Sequence, residues 1–182
     1  MSFRPAMRLL PPALLRAAVL GASFLAPAAP GPAPVQLQAL KAAFICNFLA
    51  LTRWPGARST LVVGVYGDSP AGGEVAGAMP KAVGRLVLRT ERLRRESREW
   101  PAVDAVYVPE DQQGEFPAIL RRLGKEPVLI IGDSATFLEE GGHIRFLLEG
   151  DMLRFEVNLG AASKRGLQFS ANLLKHARWV VR

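Results

Sequence analysis

Two copies of Gly-Asp-Ser, at Gly67 to Ser69 and at Gly132 to Ser134, are the residues of this 182-residue chain that most resemble a reaction signature. A serine hydroxyl attacks only when a neighbouring base takes its proton. The chain has two histidines to supply one: His143, at the mouth of a predicted hairpin, and His176, preceded by Asn172 and Leu173 where an orienting carboxylate would be wanted. Neither is placed by sequence to activate a serine, so no catalytic residue is assigned. Asp and Ser after a strand serve instead to shape the turn or cap the next helix. Metal chemistry is as poorly supplied. A structural zinc wants four nitrogen or sulfur ligands, and the chain has only His143, His176 and Cys46. Gly64, Gly67, Gly72 and Gly73 match neither the phosphate-loop nor the dinucleotide spacing, so no cofactor is expected.

Binding is better supported than catalysis. Three predicted strands end in polar pairs, Asp68 with Ser69, Glu110 with Asp111, and Asp133 with Ser134. In open parallel sheets the crevice beyond the carboxyl ends of the strands is where ligands bind. The same residues would also be unremarkable turn formers, and sequence alone leaves both readings open. His143 and His176 read as surface or helix-end residues. Cys46 reads as a buried thiol that could join two chains only if exposed. Asn47 flanks an apolar stripe and must find partners if it is buried.

The elements that must position these groups follow from periodicity. Leu37, Leu40, Phe44, Phe48 and Leu51 form one stripe of a helix, which Pro55 brings to an end. Leu61 to Tyr66, Leu86 to Leu88, Ala105 to Val108 and Val128 to Ile131 are apolar runs bounded by turn residues, and so read as buried strands. Helices are expected at Glu74 to Met79 and around Phe116, Ile119, Leu120 and Leu123. Strands alternating with helices imply a parallel sheet covered on both faces. Gly150-Asp151 then links Ile144–Glu149 to Met152–Val157 as a hairpin. A two-residue loop there pairs Leu148 with Leu153, Phe146 with Phe155 and Ile144 with Val157 on one face, and Arg145 with Glu156 on the other. A last helix is expected after Ser170, its cap, with Phe169 stapled on Leu174 and with Leu173, Leu174, Ala177 and Val180 turned inward. The fold class is α/β: a three-layer sandwich with a mixed, partly parallel sheet, a C-terminal hairpin and a packed C-terminal helix.

Residues 1–29 do not belong to that domain. Arg4 and Arg8 precede an apolar run from Leu9 to Leu25, followed by Ala26-Pro27-Ala28-Ala29, which is the grammar of a signal peptide cleaved near Ala28 or Ala29. Residues 30–35 form a Pro-rich spacer, and residues 36–182 the domain. The whole chain carries 23 basic and 16 acidic residues. Without the three arginines of the leader the excess is ordinary surface charge. The densest basic run, Arg89 to Arg98, interleaves Glu91 and Glu96 and has no aromatic residue to stack a base, so it reads as a solvated face and not as a nucleic-acid site.

Lys41-Ala42-Ala43-Phe44-Ile45-Cys46-Asn47-Phe48 followed by Trp54-Pro55 resembles the opening of the YfiR family of periplasmic proteins. Pro127 to Ser134, Gly141 to Phe146, Leu153 to Asn158 and Gly166 to Ser170 continue the resemblance in order. It implies a secreted, non-enzymatic regulator that binds the periplasmic sensor domain of an inner-membrane signalling enzyme, a diguanylate cyclase or a sensor kinase, and lowers cyclic-di-GMP. It also implies homodimers and a pocket for a small anionic or aromatic ligand. That pocket would bring Arg53 and Trp54 close to Gln168, Ser170 and Asn172, and Asn47 joins them as a binding candidate. The family's disulfide switch does not carry over, because Val103 stands where a Cys is often found. A periplasmic small-ligand-binding module serving another partner is the alternative reading, and a GDSL-type hydrolase a distant third.

Overall fold

A computed structural model describes residues 34–182. The expected signal peptide and most of the spacer lie outside the described residues. In chain order the elements are α1 (Pro34–Ala50), β1 (Thr52–Arg53), β2 (Thr60–Tyr66), α2 (Pro70–Ala78), β3 (Ala82–Val83), β4 (Leu86–Leu93), β5 (Ala105–Val108), α3 (Phe116–Leu123) and β6 (Leu129–Gly132). They continue with β7 (Ile144–Glu149), β8 (Met152–Asn158), α4 (Leu159–Lys164), β9 (Gln168–Phe169), α5 (Ala171–His176) and β10 (Trp179–Val181). A 3-10 turn at Glu110–Glu115 leads into α3.

Eight strands form one sheet in the order β10-β8-β7-β6-β5-β2-β4-β3. The five from β4 to β7 run parallel, and β8 turns back through the hairpin. Its register is the one the side-chain pattern predicts: Ile144, Phe146 and Leu148 stand opposite Val157, Phe155 and Leu153, and Arg145 opposite Glu156. A slip of one residue would have turned all three apolar pairs to the opposite face.

Two apolar layers sandwich the sheet. On one face α1, α2 and α5 cover Leu61, Val63, Tyr107, Ile131, Phe146 and Phe155; on the other α3 and Phe137 cover Val106, Val108 and Ile130. Strands buried on both faces must be apolar at every position, which is why β5 and β6 read as unbroken runs. Phe48 of α1 seats its ring 4.8 Å from that of Phe155 and 5.6 Å from that of Phe146.

Two elements differ from the sequence pattern. The buried face of α1 is Ala42, Ile45, Cys46, Phe48 and Leu49, while Leu40 is 40% exposed. The stripe is rotated because α1 packs on the sheet and against α2 at once. The last helix stops at His176. Ala177 is extended, and Arg178 N donates to Phe155 O at 2.9 Å, starting the ladder of β10 along β8. Val180 is therefore a strand residue, and it packs on the same core as expected of the helix. An open β8 edge beside the hairpin took precedence over helical spacing.

Candidate functional site

The chain leaves β2 to one side, for β4, and returns to place β5 on the other. That reversal is the switch point at which open α/β sheets hold ligands. A crevice of about 850 Å³ lies there, walled by Pro70 and Ala71 after β2, Pro109, Glu110 and Asp111 after β5, Asp133 and Ala135 after β6, the outer half of β7, and the first two turns of α1. Leu37, Phe146, Leu148 and Leu153 give it an apolar side; Gln38, Lys41, Asp133 and Arg145 a polar one.

The polar side is a wired cluster. Lys41 Nζ donates to Asp133 Oδ2 at 2.9 Å, and Tyr107 Oη donates to the same oxygen at 2.6 Å. The Lys41 and Asp133 side chains are only 11% and 10% exposed. Burial, and then the Asp133 charge, push the Tyr107 hydroxyl far above its usual range, so it is a fixed donor. Arg145 Nη2 lies 2.5 Å from Glu156 Oε2, and Arg145 also donates to the Ala135 carbonyl. Glu156 accepts from Arg178 as well, at 2.8 Å.

Of the strand-end residues that the sequence singles out, Glu110, Asp111 and Asp133 line this crevice. Asp68 and Ser69 line a neighbouring cleft of about 430 Å³, where Asp68 is held by Arg92 at 2.7 Å and Arg94 at 3.2 Å. Those two guanidiniums draw the Asp68 carboxyl below its ordinary range. Ser69 caps α2 by accepting from Gly72 N at 3.0 Å, and Ser134 Oγ lies 3.4 Å from Thr136 Oγ1. Neither serine is hydrogen-bonded to a histidine among the described residues.

His143 is not the surface residue its position suggests. It is fully buried, its ring Nδ1 accepts from Ile130 N at 3.1 Å, and its backbone N–H donates to Ile130 O at 3.0 Å. The ring thus satisfies the Ile130 amide just before the β6–β7 ladder begins at Ile131 and Ile144. Burial lowers its pKa to about 3. His176 stays at the surface, its Nδ1 2.8 Å from Asn172 O. Cys46 is buried and unpaired, with burial raising its pKa, so it offers no ready thiol for joining two chains. Among the described residues no group of three His, Cys, Asp or Glu could hold a metal, and no helix is long and apolar enough to cross a membrane.

The residues expected at the end of the first helix lie in or beside a separate two-stranded sheet, and Trp54 reaches the amino end of β5, the other end of the strands from the crevice. In that small sheet β1 pairs with β9, Arg53 facing Gln168 and Thr52 facing Phe169. Ser170 N donates to Leu51 O at 2.9 Å, and the Ser170 hydroxyl caps α5 by accepting from Leu173 N. Arg53, Gln168, Asn172 and Asn47 are exposed. Trp54 is half-buried against the core and donates to the Asp104 carbonyl at 3.2 Å. The fold thus brings Arg53, Trp54, Gln168 and Ser170 to one edge, and none of the six expected residues lines the crevice. Asn47 needs no internal partner because it faces outward.

Gln38, Lys41, Tyr107 and Arg145 were missed by sequence reasoning. Lys41 left a signal: it sits one residue before Ala42 on the buried face of α1, and a lysine there must find an anion. Its partner, 92 positions away, leaves no trace in local spacing.

The family model described as YfiR/HmsC-like matches residues 38–178. No curated protein matches the chain. Among solved structures, the ABC domain in complex with L-Trp from Streptococcus pneumoniae superposes with a TM-score of 0.57 at 15% identity. A conserved domain protein from Vibrio cholerae superposes with 0.51 at 10%. Each match covers 79% of this chain and 60% of the other, so the chain spans less than two thirds of these neighbours. At such identities the likeness is one of fold.

Proposed function

The chain belongs to the YfiR/HmsC-like family, and from that membership we propose that it is a non-enzymatic periplasmic protein that binds the sensor domain of an inner-membrane signalling enzyme and holds it inactive. The family is a regulatory one, periplasmic in general and tied to diguanylate cyclase pathways. The finer reading makes the partner a diguanylate cyclase, so that the protein lowers cyclic-di-GMP. Such a regulator needs no chemistry of its own. Binding one state of the partner more tightly than the other shifts its activity by the difference in binding free energy.

The observation that carries this reading is the extent of the family match, from the second turn of α1 to the start of β10. The test is cellular cyclic-di-GMP in the native host with the gene present, deleted, or restored with residues 1–29 intact or removed. A rise on deletion that only the form with its leader reverses is the expected result. Unchanged cyclic-di-GMP in every strain would remove the cyclase from the reading. The exposed edge around Arg53 and Gln168, with Asn47, Trp54, Ser170 and Asn172, is the proposed contact for partner or ligand.

The crevice favours a second reading, a small-ligand-binding module. Its position at the switch point and its buried charged wall are what a ligand site in this class of fold requires. The two readings are compatible if the ligand biases the state that meets the partner.

A further inference from the structure

Both bonds to Asp133 end on one of its two oxygens. Lys41 Nζ and Tyr107 Oη share Oδ2, while Oδ1 is buried with no hydrogen-bond partner among the described residues. The side chain as a whole is 10% exposed. One turn along α1 from Lys41, Gln38 Oε1 is a second buried acceptor without a partner. Buried polar atoms are almost always bonded, because leaving one bare costs about 1–3 kcal/mol, and more when it is charged. The crevice is also lined by Arg145, whose Nε is a buried donor without a partner among the described residues although its guanidinium is held by Glu156; on the Asp133 side the two bare acceptors call for a visitor that donates.

We propose that the crevice at the carboxyl ends of the parallel strands binds a small primary amine, its ammonium group donating to Asp133 Oδ1 and Gln38 Oε1. An ammonium has three donors and no acceptor, which suits these two acceptors, and its bond to a carboxylate is charge-assisted. The remaining charges agree. Lys41 is committed to Asp133 and Arg145 to Glu156. That leaves Glu110 and Asp111, both exposed on the rim, to draw cations inward. Leu37, Phe146, Leu148 and Leu153 offer the opposite wall to an apolar body. This assignment rests on the reading of the crevice as a ligand site.

The test is titration calorimetry of the purified chain with butylamine, phenethylamine and 1,4-diaminobutane, against phenylacetate and N-acetylphenethylamine as probes lacking the ammonium. Saturable binding of at least one amine is expected, with neither control binding. At least a tenfold loss is expected in Asp133→Asn. Gln38→Leu keeps the ion pair intact and serves if Asp133→Asn does not fold; a threefold or greater loss is expected there. No saturable binding of any amine, or equal binding in both variants, overturns the proposal. Phenylacetate binding without the amines also overturns it, yet leaves the crevice a ligand site of the other charge preference.

Discussion

Lys41 Nζ and Asp133 Oδ2 are 92 positions apart in the chain and 2.9 Å apart in the fold, joining α1 to the end of β6. Removing one member of a buried pair strands the other. Lys41→Met is expected to cost about 3 kcal/mol or more, read as a lower urea midpoint at unchanged m-value. The double variant Lys41→Met with Asp133→Asn should recover part of that, a coupling of about 1–3 kcal/mol. Strict additivity of the two single changes would show that the pair contributes nothing as a unit.

Acid should unfold this protein through His143. Its pKa is about 3 in the folded chain and near 6.5 when free. The unfolded state therefore binds the extra proton first. Stability from this residue is fully present above about pH 6.5 and is lost as pH falls toward 3, at up to about 1.4 kcal/mol per pH unit. In His143→Asn, whose amide oxygen can still accept from Ile130 N, the midpoint should fall less steeply between pH 6.5 and 4. A parallel pH profile for the variant would assign acid sensitivity elsewhere.

Phe137 fixes the identity of Gly142. A Cβ added at Gly142 would meet the Phe137 ring and lie 2.7 Å from the Phe137 carbonyl oxygen. That oxygen accepts from Gly142 N at 2.8 Å, so it cannot retreat freely. Gly142→Ala should cost about 1–3 kcal/mol by overpacking. Gly77→Ala in α2, where an added Cβ meets nothing within 4 Å, should instead gain up to about 1 kcal/mol. Thermal melts of the two variants give opposite signs if the packing account holds.

Arg53 tests the β1–β9 edge, away from the crevice. Its side chain is exposed, so Arg53→Ala should leave stability within about 0.5 kcal/mol. If that edge contacts the partner, the same variant should fail to restore low cyclic-di-GMP in the deletion strain while being secreted at the wild-type level. Full restoration would move the contact away from Arg53.

Much of this architecture is written in local pattern, and the exceptions share a cause. The hairpin was legible to the residue because both of its faces and its turn agree: apolar pairs inside, Arg145 against Glu156 outside, and Gly150 at a φ of 58° in the loop. The strand ends pointed to a crevice because Asp133 and its fellows follow runs too apolar to be anything but buried strands. Helical spacing carried the last helix on to Val180, and there the empty edge of β8 decided otherwise. His143 was misread and Lys41 passed over for the same reason. Each is polar by type and buried by a partner distant in sequence, Ile130 for one and Asp133 for the other. Periodicity reports which face a residue shares, not who waits on that face.

β4 carries its charges where the sheet is most open. β3 covers only Leu86 and Val87 of its outer edge, and from Arg89 to Leu93 that edge pairs with no strand among the described residues. Bare strand edges are templates for aggregation with other chains. Arg89, Glu91 and Arg92, all exposed, set charges of both signs along this one, so a second copy could add its own β4 only by desolvating them. The basic run read as a solvated face thereby also guards a strand edge, and replacing those three residues by Thr or Val would leave that edge free to stack on another copy into fibrils.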